Sequence, residues 1–502
     1  MKPDHELLTV SQMGQADAAA IAAGTPSTQL MQHAGEAVAR VVMSRWSQRP
    51  VLVLCGPGNN GGDGFVAAVA LQQAAWPVRV MLLGDPAALR GDAAWAAQQW
   101  QGVGGQIDTW SSEHLSGVGL VIDAVFGAGL SKPLGTDVSS LLAAVAERGV
   151  PVVAVDVPSG VWGDSGQADG AVAAHTTVTF FRKKPGHLLM PGKQRCGQVV
   201  VADIGINPEV LPALKIDTWV NEPALWLAAW PALDAAGHKY TRGHVAVYGG
   251  VRMTGAARLA AWGAARIGAG LTTVAAPEPA WPVYAASLNC VMVHALEGPA
   301  GAHWVQAWQH WLQDRRLNAV LVGPGAGAEA HDMASVALKA DRAIVLDADA
   351  LTAWQGHSQD LFDLIQAAPR PVVLTPHEGE FARLFGSEGD AFTSASKLVR
   401  ARTAAMQSGA VVLLKGPDTV VAAPDGRAAI LADAPAWLGT AGAGDVLAGM
   451  ITGLLAQGMP AWEAACAAAW VHAQAGLAFG RGLIADDLPH QIPAVLQRLF
   501  PR

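Results

Sequence analysis

Short runs of consecutive hydrophobic residues alternate with longer stretches of helical composition in the first half of the chain. The runs at 51–54, 78–83, 120–122 and 152–155 are almost continuously apolar, which is typical of parallel strands buried on both faces. Between them, residues 65–75, 87–101 and 139–147 have the composition of helices. This alternation predicts a doubly wound, Rossmann-like α/β sheet.

The same alternation restarts in the second half of the chain. Further strands are predicted at 243–250, 319–322, 343–346, 372–374 and 410–414. The intervening stretch 211–239, with Pro212, Pro223 and Pro231 among tryptophans and alanines, follows neither pattern. We therefore predict two α/β domains, residues 1–220 and 221–502, with a boundary uncertain by about ten residues.

Composition narrows the class of protein. The chain has 502 residues, 51% of them hydrophobic, and a formal net charge of -8, which does not suggest a nucleic-acid groove or an anionic membrane surface as partner. Its four cysteines show no metal-ligand spacing, no signal peptide is recognisable, and no apolar run reaches the ~18 residues of a membrane span. We expect a soluble cytoplasmic enzyme, and the sequence leaves a homo-oligomer open.

A glycine-rich turn, CGPGNNGGDG, follows the first predicted strand. Its Gly56, Gly58 and Gly61 match the G-x-G-x-x-G spacing of dinucleotide-binding turns. Asp63, however, is predicted in the first helical turn, where a carboxylate repels a pyrophosphate and competes for the same N–H groups. Asp85 could still serve as the ribose-binding acid expected ~20 residues further on. Charge rather than spacing therefore disfavours a simple NAD site.

Polar residues follow the carboxyl ends of three predicted strands in this half. They are Asn59, Asn60, Asp63, Asp123, Asp156 and Ser159. Ligands of open α/β sheets bind at this edge, although each residue alone is also a common cap or turn former. Crowded aspartates require a cation or a raised pKa on one of them, and a raised pKa suits proton transfer. Amide and hydroxyl oxygens can help to hold a cation.

Four segments in this order resemble the YjeF N-terminal family, the NAD(P)HX epimerases: CGPGNNGGDGF, VIDAVFGAGL, VVAVDVPSGVWGDSG and VVVADIGIN. The resemblance implies interconversion of the R and S forms of hydrated NADH and NADPH. It also implies a potassium ion on Asn60, Asp123 and Ser159, with Asp63 and Asp156 as catalytic candidates. The implied substrate-binding residues are Asn59, Asn60, Gly61, Gly62, Asp63, Gly127, Ala128, Gly129, Leu130, Ser131, Lys132, Pro133 and Asp156.

One position departs from this family. Ala128 stands where the family commonly has threonine, which removes a hydroxyl group and puts its hydrogen bond in doubt. The same fold also occurs in animal proteins known for binding a lipoprotein, so binding without catalysis stays an alternative for this half.

The second half carries its own glycine-rich segment, GTAGAGDVLAGMITGLLAQG. Its small residues would let backbone N–H groups approach an anion at the start of a helix. Asp445, just inside that helix, could accept a proton from a hydroxyl that attacks a phosphoryl group. A capped, glycine-rich helix start is the plain alternative.

Further polar segments follow predicted strands in this half. VLLKGPDTVVAAPDG contributes Lys415 and Thr419, VLTPHEGEF contributes His377 and Glu380, and LVGPGAG adds a glycine loop. A lone histidine is more often structural, but strand ends are where one ligand could touch all of these residues.

These segments, with GHVAVYGG, MTGAARLAAWGAARIGAGLTTVA and VLDADALT, resemble the ribokinase-like superfamily and, within it, the ADP- or ATP-dependent NAD(P)HX dehydratases (YjeF C-terminal family). The resemblance implies that the hydrate is phosphorylated by an adenine nucleotide, with Mg²⁺, and then loses phosphate. Ala443 stands where the family usually has threonine or serine. Implied substrate contacts are Ala256, Gly325, His377 and Asp445. Implied nucleotide contacts are Lys415, Gly416, Pro417, Asp418, Thr419 and Gly444.

Two other functions stay open at this point. A ribokinase-type small-molecule kinase fused to an NAD-binding domain would leave a stable phosphorylated product. A non-catalytic nucleotide-binding scaffold would turn over neither epimer. The sequence does not distinguish ADP from ATP, or NADHX from NADPHX, and does not show which aspartate is the acid or base of epimerisation.

Overall fold

The computed structural model describes residues 5–234, 236–386 and 396–501. They fall into two compact units that divide between Thr218 and Trp219. Among these residues, no helix is both long and apolar enough to cross a membrane.

The first unit is a parallel sheet covered by helices. Its strands are β1 (Val51–Cys55), β2 (Val78–Leu82), β3 (Ile107–Asp108), β4 (Leu120–Ala124), β5 (Val152–Val155), β6 (Thr176–Phe180) and β7 (Gln198–Ala202). Its helices are α1 (Val10–Ala22), α2 (Ser27–Arg45), α3 (Asn59–Gln73), α4 (Gly91–Gly102), α5 (Thr136–Glu147) and α6 (Gly192–Cys196). The strands pair in the order β3-β2-β1-β4-β5-β6-β7.

The strand order turns back at β1, which pairs with β2 on one side and with β4 on the other. The chain leaves β1 towards one edge of the sheet and leaves β4 towards the other. A crevice opens at such a switch point, beyond the carboxyl ends of the strands. The glycine-rich turn after β1 is therefore in the position where this fold binds ligands.

Two helix starts in this unit differ from the prediction. Helix α3 begins at Asn59 rather than near residue 65, so Asp63 lies in its second turn and not in its first. Helix α4 begins at Gly91 rather than at residue 87, because the Asp85 side chain accepts a hydrogen bond from Ala87 N and starts a short 3-10 helix instead. The hydrophobic pattern reveals neither the capping role of Asp85 nor a helix that begins with the polar and glycine residues before Phe65.

The second unit is a larger mixed sheet. Its strands are β8 (Thr218–Val220), β9 (His244–Tyr248), β10 (Leu271–Pro277), β11 (Met292–Leu296), β12 (Ala319–Val322), β13 (Ala343–Leu346), β14 (Val372–Leu374), β15 (Val411–Leu414), β16 (Val420–Ala422) and β17 (Ala428–Ile430). They pair in the order β11-β10-β9-β12-β13-β14-β15-β16-β17-β8. From β11 to β15 the pairing is parallel, and β15, β16 and β17 pair antiparallel.

One or two helices connect most of the parallel strands of this unit, and three more follow the last strand. They are α7 (Pro223–Trp226), α8 (Thr254–Arg266), α9 (Trp281–Ser287), α10 (Ala302–Trp311), α11 (Ala330–Leu338), α12 (Asp349–Thr352), α13 (Ser358–Gln366), α14 (Glu378–Phe385), α15 (Lys397–Ser408), α16 (Ala443–Ala456), α17 (Ala461–Phe479) and α18 (Asp487–Leu499). The α/β class predicted for both halves is confirmed.

Helix α16 is almost entirely buried, and close packing on α8 fixes its position. A Cβ atom at Gly449 would overlap the backbone of Ala260, and one at Gly453 would approach the backbone of Ala264. Only glycine lets the two helix backbones come this close. The start of α16, which carries Asp445, is thereby fixed relative to the sheet.

Candidate active sites

The first unit contains a cavity of about 750 Å³ at the switch point beside β1 and β4. Most of the predicted substrate-binding residues line it. These are Asn59, Asn60, Asp63, Gly127, Ala128, Gly129, Leu130, Ser131, Lys132, Pro133 and Asp156. Gly61 and Gly62 are different: they are buried inside the packing of α3, where a Cβ atom would overlap Gly56 or the Met31 side chain.

Asp156 is the most constrained carboxylate in this cavity. Its backbone has a φ of 66°, a left-handed conformation that non-glycine residues rarely adopt and that often marks functional sites. One carboxylate oxygen accepts hydrogen bonds from Lys184 Nζ at 2.7 Å and Thr179 Oγ1 at 2.9 Å, and the other accepts from Ala128 N at 2.9 Å. Burial opposes ionisation, but the Lys184 ammonium outweighs it and lowers the pKa of Asp156 to about 2.

His187 fixes the backbone on both sides of this ion pair. Its Nδ1 accepts a hydrogen bond from Lys184 N at 2.9 Å, so Nε2 carries the proton and donates to Asp156 O at 2.7 Å. Burial lowers the pKa of His187 to about 4, so the ring is neutral at physiological pH. The histidine is therefore a positioning residue for Asp156 and Lys184.

Asp63 and Asp17 face the same cavity without such partners. Among the described residues, neither carboxyl group accepts a hydrogen bond or forms an ion pair. Burial, and then the charges of Asp156 and Asp17, raise the pKa of Asp63 well above its ordinary range. Burial raises the pKa of Asp17 to about 6, with Lys184 opposing the shift and Asp156 adding to it. Both groups can hold a proton where Asp156 cannot.

The three residues assigned to potassium lie beside this cavity. Ser159 Oγ donates to one oxygen of Asp123 at 2.6 Å, and Ser159 N donates to the other at 2.8 Å. Asp123 is buried, which raises its pKa, although these hydrogen bonds oppose the rise. The Asn60 amide is satisfied when its nitrogen faces Val155 O and its oxygen faces Gly127 N.

Two side chains in the first unit have roles other than those considered from sequence. Asp85 caps the short 3-10 helix after β2 and does not line the cavity, so it is not placed to bind a ribose. The methyl group of Ala128 lies in a small apolar cluster with Val157, Val161 and Ala171. The polar contact at this position is the Ala128 backbone N–H, which binds Asp156 whatever the side chain is.

The second unit gathers its charged residues around Lys415, beyond the ends of β13, β14 and β15. Lys415 Nζ donates to Asp347 Oδ1 at 2.8 Å and lies 3.7 Å from Glu380 Oε2. Burial opposes the ammonium charge of Lys415, but Asp347 and Glu380 outweigh it and raise the pKa of Lys415. Asp347 and Glu380 are themselves buried, so the surrounding protein holds this cluster in place.

Asp445 adjoins this cluster at the start of α16. The preceding Gly442 has a φ of 90°, a conformation that favours glycine, and a Cβ atom at Gly444 would lie 3.4 Å from Lys415 Nζ. Burial, followed by the charge of Asp347, raises the pKa of Asp445 to about 7, although Lys415 opposes the rise. A carboxylate with this pKa is suited to accept a proton near neutral pH.

His377 caps the start of α14, and its side chain is partly exposed. Its Nδ1 accepts hydrogen bonds from Gly379 N at 2.9 Å and Glu380 N at 3.3 Å, while Glu380 Oε2 accepts from His377 N at 2.8 Å. These bonds cap α14 and hold Glu380 beside Lys415. The His377 side chain is 54% exposed, although its Nε2 lies 3.3 Å from Glu380 Oε1, so both ring nitrogens face α14.

The loop that follows Lys415 is held by its own contacts. Asp418 pairs with Lys397 at 2.8 Å, and Lys397 Nζ also donates to Lys415 O at 3.1 Å. Thr419 Oγ1 donates to Gly416 O at 2.8 Å and accepts from Gly416 N at 3.1 Å. The Asp418 carboxylate and the Thr419 hydroxyl therefore shape the predicted nucleotide loop from within.

Two predicted substrate contacts lie on the neighbouring glycine loop and helix start. Gly325 has a φ of 62°, and its carbonyl oxygen occupies the space that a Cβ atom at Gly250 would need. Ala256 lies in the first turn of α8, and its N–H donates to Met253 O. Asp349 accepts a hydrogen bond from Gly327 N at 2.9 Å, which connects it to this loop. The negative charge of Asp349 also contributes to the raised pKa of Asp445.

Sequence reasoning did not assign several of these residues. In the first unit they are Asp17, Thr179, Lys184 and His187, and in the second they are Asp347, Asp349 and Lys397. Lys184 and Asp347 follow strand ends, so the strand-end rule could have found them. Asp17 precedes the first strand and carries no such signal.

Fold and sites together define a two-unit α/β protein in which each unit has its own cluster of acids around a lysine–aspartate ion pair. Residues 245–498 match the family described as NAD(P)H-hydrate dehydratase, and residues 27–186 match the YjeF-related protein N-terminus. The bifunctional NAD(P)H-hydrate repair enzyme Nnr of Moorella thermoacetica is 36% identical, covering 98% of this chain and 97% of that protein. Its counterpart in Salinibacter ruber is 37% identical, covering 98% of this chain and 96% of that protein.

The chain belongs to the bifunctional NAD(P)H-hydrate repair enzymes, with an epimerase domain followed by a dehydratase domain. Among solved structures, it resembles an ADP/ATP-dependent NAD(P)H-hydrate dehydratase of Bacillus subtilis at 27% identity, with a TM-score of 0.48, over 56% of this chain and 98% of that one. The two family matches and the two full-length relatives confirm the family resemblances read from the sequence. They do not favour the fused small-molecule kinase or the non-catalytic scaffold.

Proposed function

We propose that the two sites act in sequence on hydrated NADH and NADPH. The first unit interconverts the R and S hydrates, and the second converts the S hydrate to the reduced nucleotide while ADP or ATP is consumed. The observation that carries this proposal is the pair of acid clusters, each with a lysine bound to one aspartate and another aspartate of raised pKa beside it. The cytoplasm stays the predicted compartment.

In the second unit, the chemistry starts at the hydroxyl group of the hydrated ring. Asp445 takes the hydroxyl proton as the oxygen attacks the terminal phosphorus, and the bond to the departing AMP or ADP breaks. The ring nitrogen lone pair then expels phosphate from carbon, and loss of a neighbouring C–H proton restores the dihydronicotinamide. Phosphate is a far better leaving group than hydroxide, which explains why a kinase fold suits a dehydration.

The residues of this unit can be assigned to the two ligands of the reaction, the hydrate and the adenine nucleotide. Ala256, Gly325 and His377 would contact the hydrate, and Lys415 with Gly444 would face the transferring phosphoryl group. The rest of the nucleotide contacts would come from Gly416, Pro417, Asp418 and Thr419, mainly through the loop backbone because two of their side chains are engaged.

A magnesium ion fits this site as a partner of the nucleotide. No group of three or more metal-binding side chains occurs among the described residues. Mg²⁺ commonly binds through one or two carboxylates and substrate phosphates, and Asp347 and Glu380 could supply the carboxylates. When bound, the ion would neutralise charge on the phosphates during transfer.

A potassium ion fits the first unit at Asn60, Asp123 and Ser159. The donors are all oxygens, and the buried Asp123 carboxylate has no cationic side chain bonded to it among the described residues. The ion would compensate this charge and help to order the adjoining loop of Gly127 to Pro133. The cavity would hold the hydrated nucleotide, with Asp63 and Asp156 among the carboxylates that face it.

The test uses the purified full chain with each hydrate separately. With the S hydrate and ADP or ATP, we expect the absorbance of the reduced nucleotide to appear with one equivalent of phosphate. With the R hydrate and no adenine nucleotide, chromatography should show formation of the S form above the uncatalysed rate. A stable phosphorylated hydrate, or no turnover, would contradict the proposal.

A further inference from the structure

Asp17 lies on the apolar face of α1. The buried residues of this helix are Met13, Ala16 and Ala20, and Asp17 shares their side because it is four positions from Met13 and three from Ala20. Its carboxyl group lines the cavity of the first unit. An acid on a core-facing stripe is costly unless a partner compensates it.

The helix that carries Asp17 is fixed at its start. Thr9 Oγ1 accepts a hydrogen bond from Gln12 N at 3.1 Å, and Asp164 accepts one from Val10 N at 2.8 Å. Gln12 Nε2 also donates to Leu214 O at 3.1 Å. Because these contacts anchor α1, Asp17 is presented to the cavity from a rigid element, as a catalytic group requires.

The buried cation of the cavity, Lys184, is already committed to an ion pair. Lys184 pairs with Asp156 at 2.7 Å, and among the residues in the described ranges neither Asp17 nor Asp63 has an ion-pair or hydrogen-bond partner. Among the acids that line the cavity, Asp156 is held in the ionised state, whereas Asp17 and Asp63 can exchange protons. Groups whose environments separate their pKa values in this way mark acid–base assignments.

We propose that Asp17 is a catalytic residue of the epimerase, acting with Asp63 as the pair that exchanges protons with the hydrate, while Asp156 positions Lys184 and the loop at Ala128. The assignment rests on the proposed function of this cavity and goes beyond it. Asp17 and Asp63 come from different helices, α1 and α3, so the substrate meets two independent carboxyl groups.

The reaction balances with these two groups alone. One carboxylic acid protonates the ring hydroxyl, the C–O bond breaks to release water, and the nitrogen lone pair forms a C=N bond. Water then adds to the other face of that carbon, and the second group, as carboxylate, takes its proton. In the reverse direction the roles of Asp17 and Asp63 exchange.

This mechanism needs one proton shared between the two groups, which gives a pH signature. The charged groups that act on Asp17 are Lys184, Asp156 and Asp63. Asp17, with a pKa of about 6, ionises first, while Asp63 keeps its proton to higher pH. Epimerase turnover should therefore rise with pH through about 6 and fall again once Asp63 ionises.

The experiment compares Asp17→Asn, Asp17→Glu and the matched control Glu147→Gln, an exposed acid at the end of α5. We expect Asp17→Asn to lower epimerase kcat by about a hundredfold with little change in KM and to lose the rising limb near pH 6. Asp17→Glu should recover part of the activity and regain that limb. Dehydration of the S hydrate by the same preparations should be unchanged, as should both activities of Glu147→Gln.

Thermal unfolding separates catalysis from structure. Because the folded-state pKa of Asp17 is raised, its ionisation costs stability as pH rises through about 6, and the amide removes this cost. Asp17→Asn should therefore melt no lower than the unchanged chain at pH 8. Near-normal kcat in Asp17→Asn, or a loss of activity matched by a lower melting temperature and unaltered pH profile, would overturn the assignment. An unchanged chain without epimerase activity would instead refute the proposed function itself.

Discussion

The two sites use the same electrostatic arrangement but leave different numbers of carboxyl groups unpaired. In the first unit Lys184 pairs with Asp156 at 2.7 Å, and in the second Lys415 pairs with Asp347 at 2.8 Å. In both, burial and neighbouring acids raise the pKa of further carboxyl groups. The lysine in each site therefore stabilises one charge and leaves the protonation of the others adjustable.

The difference between the sites matches the two reactions. Epimerisation inverts a carbon in either direction, so it needs both an acid and a base, and the first cavity offers Asp17 and Asp63. Dehydration has a direction set by phosphoryl transfer; that transfer step needs one base, and the second site offers Asp445 at a glycine-rich helix start. The first site thus has two carboxyl groups of raised pKa, one for the acid and one for the base of a reversible reaction. The second site has one such group, Asp445, for the phosphoryl-transfer step.

The largest expected effect is on dehydration in Asp445→Asn. The amide keeps the size of the side chain but cannot accept a proton, so turnover should fall at least about a hundredfold. The affinity for adenine nucleotide should change far less, because the loop that follows Lys415 is unaltered. Stopped-time assays of phosphate release measure this, with Asp360→Asn on the exposed face of α13 as the control.

Epimerisation in Asp445→Asn should be unaffected, which keeps the two sites distinguishable. A variant that dehydrates at a near-normal rate would reduce Asp445 to a helix-capping residue.

The next effect concerns potassium in the first unit. Asp123→Ala deletes the charged member of the proposed ion site, so epimerisation should weaken at least about tenfold and lose any response to potassium. Potassium should also raise the melting temperature of the unchanged chain but not that of the variant, which provides a readout apart from activity. Ser159→Ala, which keeps the carboxylate, should show a smaller loss.

If epimerisation and melting both ignored potassium in the unchanged chain, the ion site would be abandoned. Dehydration of the S hydrate by Asp123→Ala should continue in either case.

A third prediction uses the pH dependence of dehydration. Asp445 acts in its ionised form, and its raised pKa of about 7 means that this form is gained as pH rises. Turnover at saturating substrate should therefore climb about tenfold per pH unit below that value and level off above it. The residual turnover of Asp445→Asn should lack this limb, whereas a limb of the same shape in the variant would assign the titration to another group.

The smallest effect is on stability and concerns the start of the second unit. Strand β8 belongs to the second sheet, and Trp219 packs edge-on against Trp462 with ring centroids 6.0 Å apart. A fragment that begins at Asn221 loses these contacts, whereas one that begins at Asp217 keeps them. We expect the shorter fragment to dehydrate the S hydrate but to melt a few degrees lower, for a loss of about 1–3 kcal/mol.

Equal melting temperatures for the two fragments would show that β8 adds nothing to the second unit. Asn221 should keep its position in both fragments, because its side chain donates a hydrogen bond to Cys466 O and accepts one from Trp226 Nε1.

How much could be predicted from sequence depended on where a residue stands relative to a strand. Buried parallel strands are continuous apolar runs, so β1, β4, β5 and the residues beyond them were recognisable, including Asp123 and Asp156. Strand β6 reads TTVTF, in which buried threonines break the apolar run, so Lys184 beyond it was missed. A resemblance to known families then supplied roles that spacing alone could not.

Asp17 illustrates what no local pattern conveys. It precedes the first strand, and its helix reaches the cavity only through tertiary packing of α1 on the fold. Likewise, the sequence signals neither the pairing of Lys184 with Asp156 rather than with Asp63 nor the left-handed backbone at Asp156. The charged residues could be identified from the sequence, but the ion pairs that they form could not.

The most direct test of two independent sites is complementation between two inactive variants. The R hydrate is incubated with ADP or ATP and with Asp63→Asn, with Asp445→Asn, or with an equal mixture, while absorbance of the reduced nucleotide is followed. Asp63→Asn alone should stall at the R form, and Asp445→Asn alone should stop at a mixture of epimers without absorbance. The mixture should restore conversion, because each chain supplies the site that the other lacks. Failure of the mixture, or full conversion by either variant alone, would contradict the account.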